Sequence, residues 1–295
     1  MASKKLKKVL FSLITVTFMF SSVAGCGNQS TNNLLLENSI SALNTTEVND
    51  YVPKHKFSLK LNPNAPKVLF DDIQINSAQK KVDLRKFCSP VVDQGDLGAC
   101  TGFSIGKGLR EYLLLRDRKP LVSLSPLFIY YNERKMEKTI KKDDGADIGS
   151  GMKVLKDIGA APEKDWPYDI KKFAIEPPAI AYQDAQEFRV KTIKALKGLR
   201  DIKEALNNKS PVVFGIESYQ SFEDTKDGWI PVPDTKKEKH LGGHAVACFG
   251  YDDKKQVLIV KNSWGPEWGD KGYFYLPYGY FKNKLVDSAW TAETN

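Results

Sequence analysis

Apolar residues in the first half of the chain's main region recur at helical spacing. Their interval of three to four residues predicts an amphipathic helix, whose buried face is formed by Ile105, Leu109, Tyr112 and Leu113. A second helix is predicted at 153–158, because Gly159 fits a helix C-cap, and a third at 199–206.

The pattern changes after Pro211, where short apolar runs predict strands at 212–216, 245–251, 256–260 and 272–276. Helices that precede strands along the chain are typical of an α+β fold rather than a doubly wound sheet. The main domain is therefore predicted at 82–295. It would have a helical part at about 82–185 and a β part at about 186–295.

The chain begins with the features of a secretory signal peptide over residues 1–25. Four lysines precede an apolar run at 9–20, which is shorter than the roughly 20 residues needed to span a membrane. Small residues then lead to Cys26, and this order resembles the cleavage site of bacterial lipoproteins. The resemblance implies that Cys26 is lipidated. The protein would then be extracytoplasmic and held at the bacterial cell membrane by acyl chains, from which proteolysis could release it. The alternative is an ordinary signal peptide followed by an incidental cysteine.

Residues 26–81 are predicted to form a tether followed by an apolar segment. The stretch 27–47 is rich in Asn, Ser and Thr, as flexible linkers are. The stretch 51–76 is too apolar for a free linker, so we expect it to lie extended against the main domain.

Composition excludes several classes of protein. Hydrophobic residues make up 41% of the 295 positions, enough for a sizeable core, so the chain is not disordered. Four cysteines in a chain of this length do not form a disulfide scaffold. The net charge of +8 is concentrated at the N-terminus, and 82–295 carries only +3 of it. We therefore expect no nucleic-acid partner.

Cys100 is a candidate nucleophile. It follows a glycine-bearing loop at 94–99 and opens the predicted amphipathic helix. The N–H groups and dipole at a helix N-terminus stabilise a thiolate, which is the nucleophilic form of cysteine. The alternative is a buried structural cysteine.

His244 and Asn262 lie on two predicted strands joined by a turn of two aspartates and two lysines. In a hairpin about this turn, Tyr251 would face Gln256 and His244 would face Ser263, with Asn262 diagonally beside the histidine. The amide would then orient the imidazole and leave its other nitrogen for a thiol. Taken singly, the histidine could be a core residue and the asparagine a turn residue.

Together these segments resemble the papain-like cysteine peptidases, over roughly 82–295. The resemblance rests on the loop before Cys100, the His-Ala-Val sequence at 244–246, and the Asn-Ser-Trp-Gly block at 262–265 followed by a second Trp-Gly. It implies a two-lobed α+β fold with a helical N-terminal lobe, an antiparallel β-barrel-like C-terminal lobe and an active-site cleft between them.

The resemblance assigns a role to each matching residue. Cys100 matches the nucleophile, His244 the general base and acid, and Asn262 the residue that orients the histidine. Gln94 matches the oxyanion-hole glutamine, and Trp264 the tryptophan that shields the His–Asn contact and borders the leaving-group side.

The glycine-rich stretch containing Gly149 and Gly151 lies where the family has backbone that pairs with an extended substrate. The resemblance further implies a polypeptide substrate, no cofactor and no metal, and we expect a monomer. Leu97 stands where the family usually has a disulfide cysteine, and Thr101 where it has an aromatic residue. Both departures suggest a divergent bacterial branch.

Several alternatives remain open. Cys88 and Cys248 could be bridged, although two unpaired thiols are the favoured interpretation. His240 is a less favoured base, and His55 is expected at the surface. Residues 51–81 could be a removable or autoinhibitory segment lying in the cleft. Instead of a peptidase, the chain could be a non-catalytic binding lipoprotein or a cell-wall amidase.

Overall fold

The computed structural model describes residues 51–62, 68–71 and 79–294. The predicted signal peptide and Cys26 therefore lie outside the described residues, as does the predicted tether. Within the described part, no helix is both long and apolar enough to cross a bilayer.

The β part is one seven-stranded sheet whose strand pairs are all antiparallel. The strands run in the order β2-β7-β3-β4-β5-β6, and β1 adds to the far end of β4. The sheet does not close into a barrel, since β2 and β6 form its edges. The strands are β1 (Lys81–Asp83), β2 (Thr192–Leu196), β3 (Val212–Tyr219), β4 (His240–Asp252), β5 (Val257–Lys261), β6 (Tyr273–Pro277) and β7 (Val286–Glu293).

The helices lie mainly in the first half, as predicted, and the fold is α+β. The first helix, α1, is α-helical over Cys100–Gly102, π-helical over Phe103–Arg110 and α-helical again over Glu111–Arg116. The others are α2 (Pro126–Met136), α3 (Ile148–Asp157), α4 (Ala179–Ala185), α5 (Leu199–Asn207), α6 (Gln220–Glu223) and α7 (Gly279–Lys282). Short 3₁₀ turns occur at Arg85–Phe87, Ile170–Lys172 and Gln186–Phe188.

The predicted amphipathic helix is α1, but it has no solvent-exposed polar face. Lys107, Arg110 and Glu111 are all buried along with its apolar residues. Lys107 donates to Ser123 (2.6 Å) and pairs with Glu111 (3.4 Å). The helix is therefore central to the fold, and its polar side chains are buried among other protein groups instead of facing solvent.

Close packing of α1 on β4 positions the first turn of the helix beside the start of that strand. Gly108 faces Ala247, whose side chain a Cβ at 108 would strike, so the backbones approach more closely than larger residues allow. Further along, the Tyr112 ring packs on Phe249 at a centroid distance of 5.5 Å.

The predicted hairpin between β4 and β5 exists, but its register was wrong. Tyr251 faces Leu258 rather than Gln256. The turn keeps the predicted length of four residues but is displaced by one position, to 253–256. Asp252 Oδ1 caps it by accepting from the N–H groups of Lys254 and Lys255 (3.1 and 3.2 Å). A register shift between Cys248 and Gly250 then moves the remaining pairs by one residue.

Candidate active site

Cys100 begins helix α1 with no exposed surface. Burial raises the pKa of its thiol to about 12, and the backbone N–H groups of Ala245 and Thr101 oppose that rise by hydrogen bonding to the sulfur. The contact with Ala245 places the sulfur beside the residue that follows His244. The structure therefore brings the predicted nucleophile to the strand that carries the predicted base.

His244 and Asn262 are in direct contact, at 2.8 Å between Nε2 and Oδ1, and both are buried. The Ser263 N–H also donates to Oδ1 (2.8 Å), which fixes the orientation of the amide. Since Oδ1 can only accept, His244 must carry its proton on Nε2. Its Nδ1 is then an acceptor, and it has no hydrogen-bond partner among the described residues.

The environment of His244 favours the neutral ring. Burial lowers its pKa to about 4, the hydrogen bond to Asn262 opposes this, and the nearby His55 lowers it further. With the Cys100 pKa raised, thiol and imidazole are both uncharged at neutral pH in this covered arrangement.

Gln94 joins the nucleophile loop to the Asn262–Ser263 turn. It is fully buried. Its Nε2 donates to the Leu97 carbonyl (3.0 Å), and its Oε1 accepts from Ser263 Oγ (2.5 Å). The backbone N–H of Gln94 also donates to the Ser263 carbonyl (2.8 Å). An amide nitrogen carries a second hydrogen, which these contacts leave for another acceptor.

Aromatic rings enclose the His–Asn contact. Trp264 is stacked on the His244 ring, with centroids 4.9 Å apart and planes 24° from parallel. Phe222 and Trp268 contact Trp264 edge-on at 5.4 and 5.0 Å. This cluster excludes water from the hydrogen bond and lowers the local dielectric, which strengthens the bond.

Gly149 and Gly151 do not line the groove, which is the surface between the loop before Cys100 and the start of β4 that residues 51–62 cover. Both lie in α3, whose N-terminus is capped by Asp147 (3.0 Å to the Ser150 N–H). A Cβ at 151 would strike the buried Glu133 carboxylate. The backbone that lines the groove is instead Gly145–Ala146, where Gly145 has a left-handed φ of 75° and the Ala146 carbonyl accepts from the Lys60 N–H (3.1 Å). Sequence offered only the Asp-Gly turn signal at 144–145, which does not by itself place a segment.

Residues 51–62 run along the groove in extended form. The Leu59 N–H donates to the Gly243 carbonyl (2.9 Å), immediately before His244. Phe57 meets the His244 and Trp264 rings edge-on at 6.0 and 5.4 Å. This segment therefore covers the residues that the sequence identified as catalytic.

The remaining histidines and cysteines have other surroundings. His240 is half exposed and pairs with Glu217 (2.5 Å) rather than with Asn262. His55, expected at the surface, is instead part-buried, with only 27% of its side chain exposed. Cys88 and Cys248 are both free thiols. The described residues contain no group of three or more His, Cys, Asp or Glu placed to hold a metal ion.

Comparison with known proteins gives consistent matches. Residues 78–292 match the model of the papain family cysteine proteases. An uncharacterized peptidase C1-like protein of Acanthamoeba polyphaga mimivirus is 36% identical over 226 residues, covering 70% of this chain and 72% of the viral protein. Cysteine proteinase 3 of Entamoeba histolytica is 30% identical over 217 residues, covering 68% of this chain and 64% of the amoebic protein. The match thus spans just under two thirds of the amoebic protein.

Solved structures agree in fold. Xylellain, a cysteine protease from Xylella fastidiosa, superposes with a TM-score of 0.72 and 32% identity, over 83% of this chain and 99% of xylellain. Digestive procathepsin L 3 of Tenebrio molitor gives a TM-score of 0.61 at 21% identity, over 81% of this chain and 75% of that one, which is a likeness of fold alone. With its two-lobed α+β architecture, the chain belongs to the papain family and is a cysteine protease, a hydrolase.

Proposed function

We propose that this protease hydrolyses polypeptides through Cys100, His244 and Asn262, and that it is held latent by residues 51–62. The observation that carries the catalytic assignment is the His244–Asn262 hydrogen bond, which leaves Nδ1 as an unpartnered acceptor. Among the described residues, the other two histidines contact glutamates instead, His55 with Glu223 and His240 with Glu217.

The chemistry follows from these positions. Nδ1 takes the thiol proton, and the Cys100 thiolate attacks the peptide carbonyl carbon. The resulting imidazolium, kept in orientation by Asn262, returns the proton to the leaving amine as the C–N bond breaks. A water molecule, deprotonated by His244, then attacks the thioester and releases the acid, which restores the thiol.

Gln94 and the N-terminus of α1 would stabilise the oxyanion formed at each attack. The second Nε2 hydrogen of Gln94 and the Cys100 backbone N–H are the candidate donors. A donor of this kind contributes roughly 3–4 kcal/mol to the transition state. Ser263 and Leu97 hold the glutamine side chain in place, so little reorganisation is needed when charge develops.

Latency is supported by burial. Cys100 and His244 have no exposed surface. Phe57 packs on the His244 ring, and Leu59 pairs with the preceding residue, Gly243. A substrate needs the space that this segment fills. Its departure would admit water, reverse part of the burial that keeps both groups neutral, and favour the thiolate–imidazolium pair.

The location is proposed from the N-terminal sequence. Residues 1–25 would direct export, and lipidation of Cys26 would hold the monomeric protease at the extracytoplasmic face of the bacterial cell membrane. Proteolysis within 26–81 would then both activate the enzyme and release it. Palmitate labelling of the expressed protein, compared with Cys26→Ala, tests the anchor.

A peptidyl epoxide that alkylates thiolates tests the catalytic proposal. The full chain is treated before and after limited proteolysis, and the adduct is located by mass spectrometry. We expect a single adduct on Cys100 after proteolysis, with casein cleavage lost in Cys100→Ala and kept in Cys88→Ala. Failure of the proteolysed chain both to cleave casein and to label at Cys100 would favour the non-catalytic binding protein instead.

A further inference from the structure

The segment that fills the groove is basic. Residues 51–62 contain Lys54, His55, Lys56 and Lys60 and no acidic residue. Each of these four side chains reaches a carboxylate of the groove, so charge as well as backbone pairing holds the segment.

Asp143 lies beside the nucleophile loop. Its carboxylate accepts from the backbone N–H of Gly98 (3.0 Å), two residues before Cys100, and from Tyr130 Oη (2.5 Å). The ammonium of Lys56 is paired with the other oxygen. Only 18% of the Asp143 side chain is exposed, so the Lys56 cation helps to compensate its charge for lost hydration.

Glu223 occupies the opposite side, next to Trp264. Its side chain has no exposed surface, and its oxygens accept from the His55 N–H (2.7 Å), His55 Nδ1 (2.8 Å) and Tyr51 Oη (2.5 Å). All three donors belong to the segment. Departure of the segment therefore removes every donor the described structure gives this carboxylate.

Two further carboxylates extend the acidic lining of the groove, one at each end. Glu137 pairs with Lys60 (2.9 Å), and Asp224 with Lys54 (3.4 Å). A cation also contacts the segment: Lys239 donates to the Tyr51 carbonyl (2.9 Å) and so contacts backbone, not a side chain. The charge presented to an occupant's side chains is thus negative on both sides of Cys100.

We propose that the opened groove selects basic polypeptide segments, with Asp143 and Glu223 as the specificity-determining residues. The inference rests on the proposed peptidase function. Once the segment has left, Glu223 lacks its donors and Asp143 lacks its cation, and a lysine or arginine of the substrate stabilises both. A neutral side chain leaves them uncompensated, and an acidic one adds repulsion.

The experiment uses the whole folded chain. A thrombin site replaces residues 63–67, the chain is cut after folding, and thrombin and the N-terminal fragment are removed. Three quenched peptides share one cleavable core and carry Lys, Gln or Glu on both flanks. We expect kcat/KM to fall about tenfold from Lys to Gln, the scale of one charge-assisted hydrogen bond, and further to Glu. The preference should shrink as NaCl is raised.

Variants identify the carboxylates responsible. Asp143→Asn and Glu223→Gln should each lower the Lys-to-Gln ratio, whereas Glu204→Gln, an exposed acid on α5 outside the groove, should leave the ratio unchanged. Equal cleavage of the three peptides, with activity lost in Cys100→Ala, would overturn the basic preference and leave the proposed function intact. If none of the peptides is cleaved, the proposed function fails, and this inference with it.

Discussion

The imidazole of His55 lies flat on the indole of Trp264, with centroids 4.0 Å apart and planes within 9° of parallel. Trp264 in turn stacks on His244, so one indole contacts both the histidine of the segment and the proposed catalytic base. The segment thus covers the site through the same tryptophan that shields the His–Asn contact.

Replacing His55 should loosen the covering segment. His55→Ala removes the ring stack and one of the hydrogen bonds to Glu223. Losing one charge-assisted hydrogen bond should raise the fraction of uncut molecules whose site is open about tenfold. We therefore expect epoxide labelling of Cys100 in the uncut chain to accelerate by the same factor. Val52→Ala is the matched control, because Val52 is 79% exposed. Equal labelling rates in the two variants would contradict this account of latency.

The buried His244 should make the uncut chain less stable in acid. The pKa of His244 is about 4 in the folded chain and 6.5 in an unperturbed histidine. Between pH 4 and 6.5 the unfolded chain therefore binds a proton at this ring that the folded chain does not. The contribution of His244 to the free energy of unfolding is therefore fully present above pH 6.5, and it falls by about 3 kcal/mol as pH drops to 4. Denaturant titrations at several pH values, with His244→Gln as reference, measure that difference. A difference that does not vary with pH would contradict the prediction.

Glu133 should act in the opposite direction. This fully buried carboxyl accepts from Thr101 Oγ1 (2.6 Å), in the residue that follows Cys100, and burial raises its pKa from 4.5 to about 8. Folding then favours the protonated form, and the resulting stability is present below pH 4.5 and lost as pH rises to 8. Glu133→Gln keeps an acceptor for Thr101 without an ionisable group. It should raise the free energy of unfolding by about 3 kcal/mol at pH 7 and change it little at pH 4.

A chemical denaturation curve at each pH checks the Glu133 prediction. The exposed Glu204 provides the control, since Glu204→Gln makes the same substitution at a carboxyl that is not buried. A Glu133→Gln effect of equal size at pH 4 and pH 7 would mean that the change acts through packing instead of ionisation.

The sequence identified the residues that the structure brings together, but not all of their geometry. The motifs around Cys100, His244 and Asn262 are short and specific, and each lies at the end of an element that local patterning predicts. The hairpin register was wrong because Gln256 adopts a left-handed backbone (φ 57°) and Asp252 caps the turn. The pattern of apolar residues indicates neither the backbone conformation of Gln256 nor the Asp252 cap.

The acidic lining of the groove could not be predicted from the chain. Asp143 and Glu223 lie 80 positions apart, and both are brought to the groove by elements of different halves of the fold. Likewise, sequence alone predicts that the polar side chains of α1 face solvent. In the structure Lys107 and Arg110 are buried and donate to Ser123 and the Phe188 carbonyl, which lie outside the helix. The spacing of polar residues along one helix does not show which other segments pack on that face, so their burial cannot be predicted from the helix alone.

Removing the Asn262 side chain should reduce catalysis more than binding. In Asn262→Ala, His244 Nε2 and the Ser263 N–H lose their shared acceptor inside an aromatic enclosure. An unsatisfied buried donor costs about 1–3 kcal/mol, so the variant should be destabilised on that scale. With the imidazole no longer held in one tautomer and orientation, kcat of the opened enzyme should fall while KM changes little. Asn262→Gln is the comparison variant, because it keeps an amide acceptor but places it one methylene further from the backbone. It therefore distinguishes loss of the acceptor from a change in its position. A rise in KM with kcat unchanged would assign Asn262 to substrate binding instead.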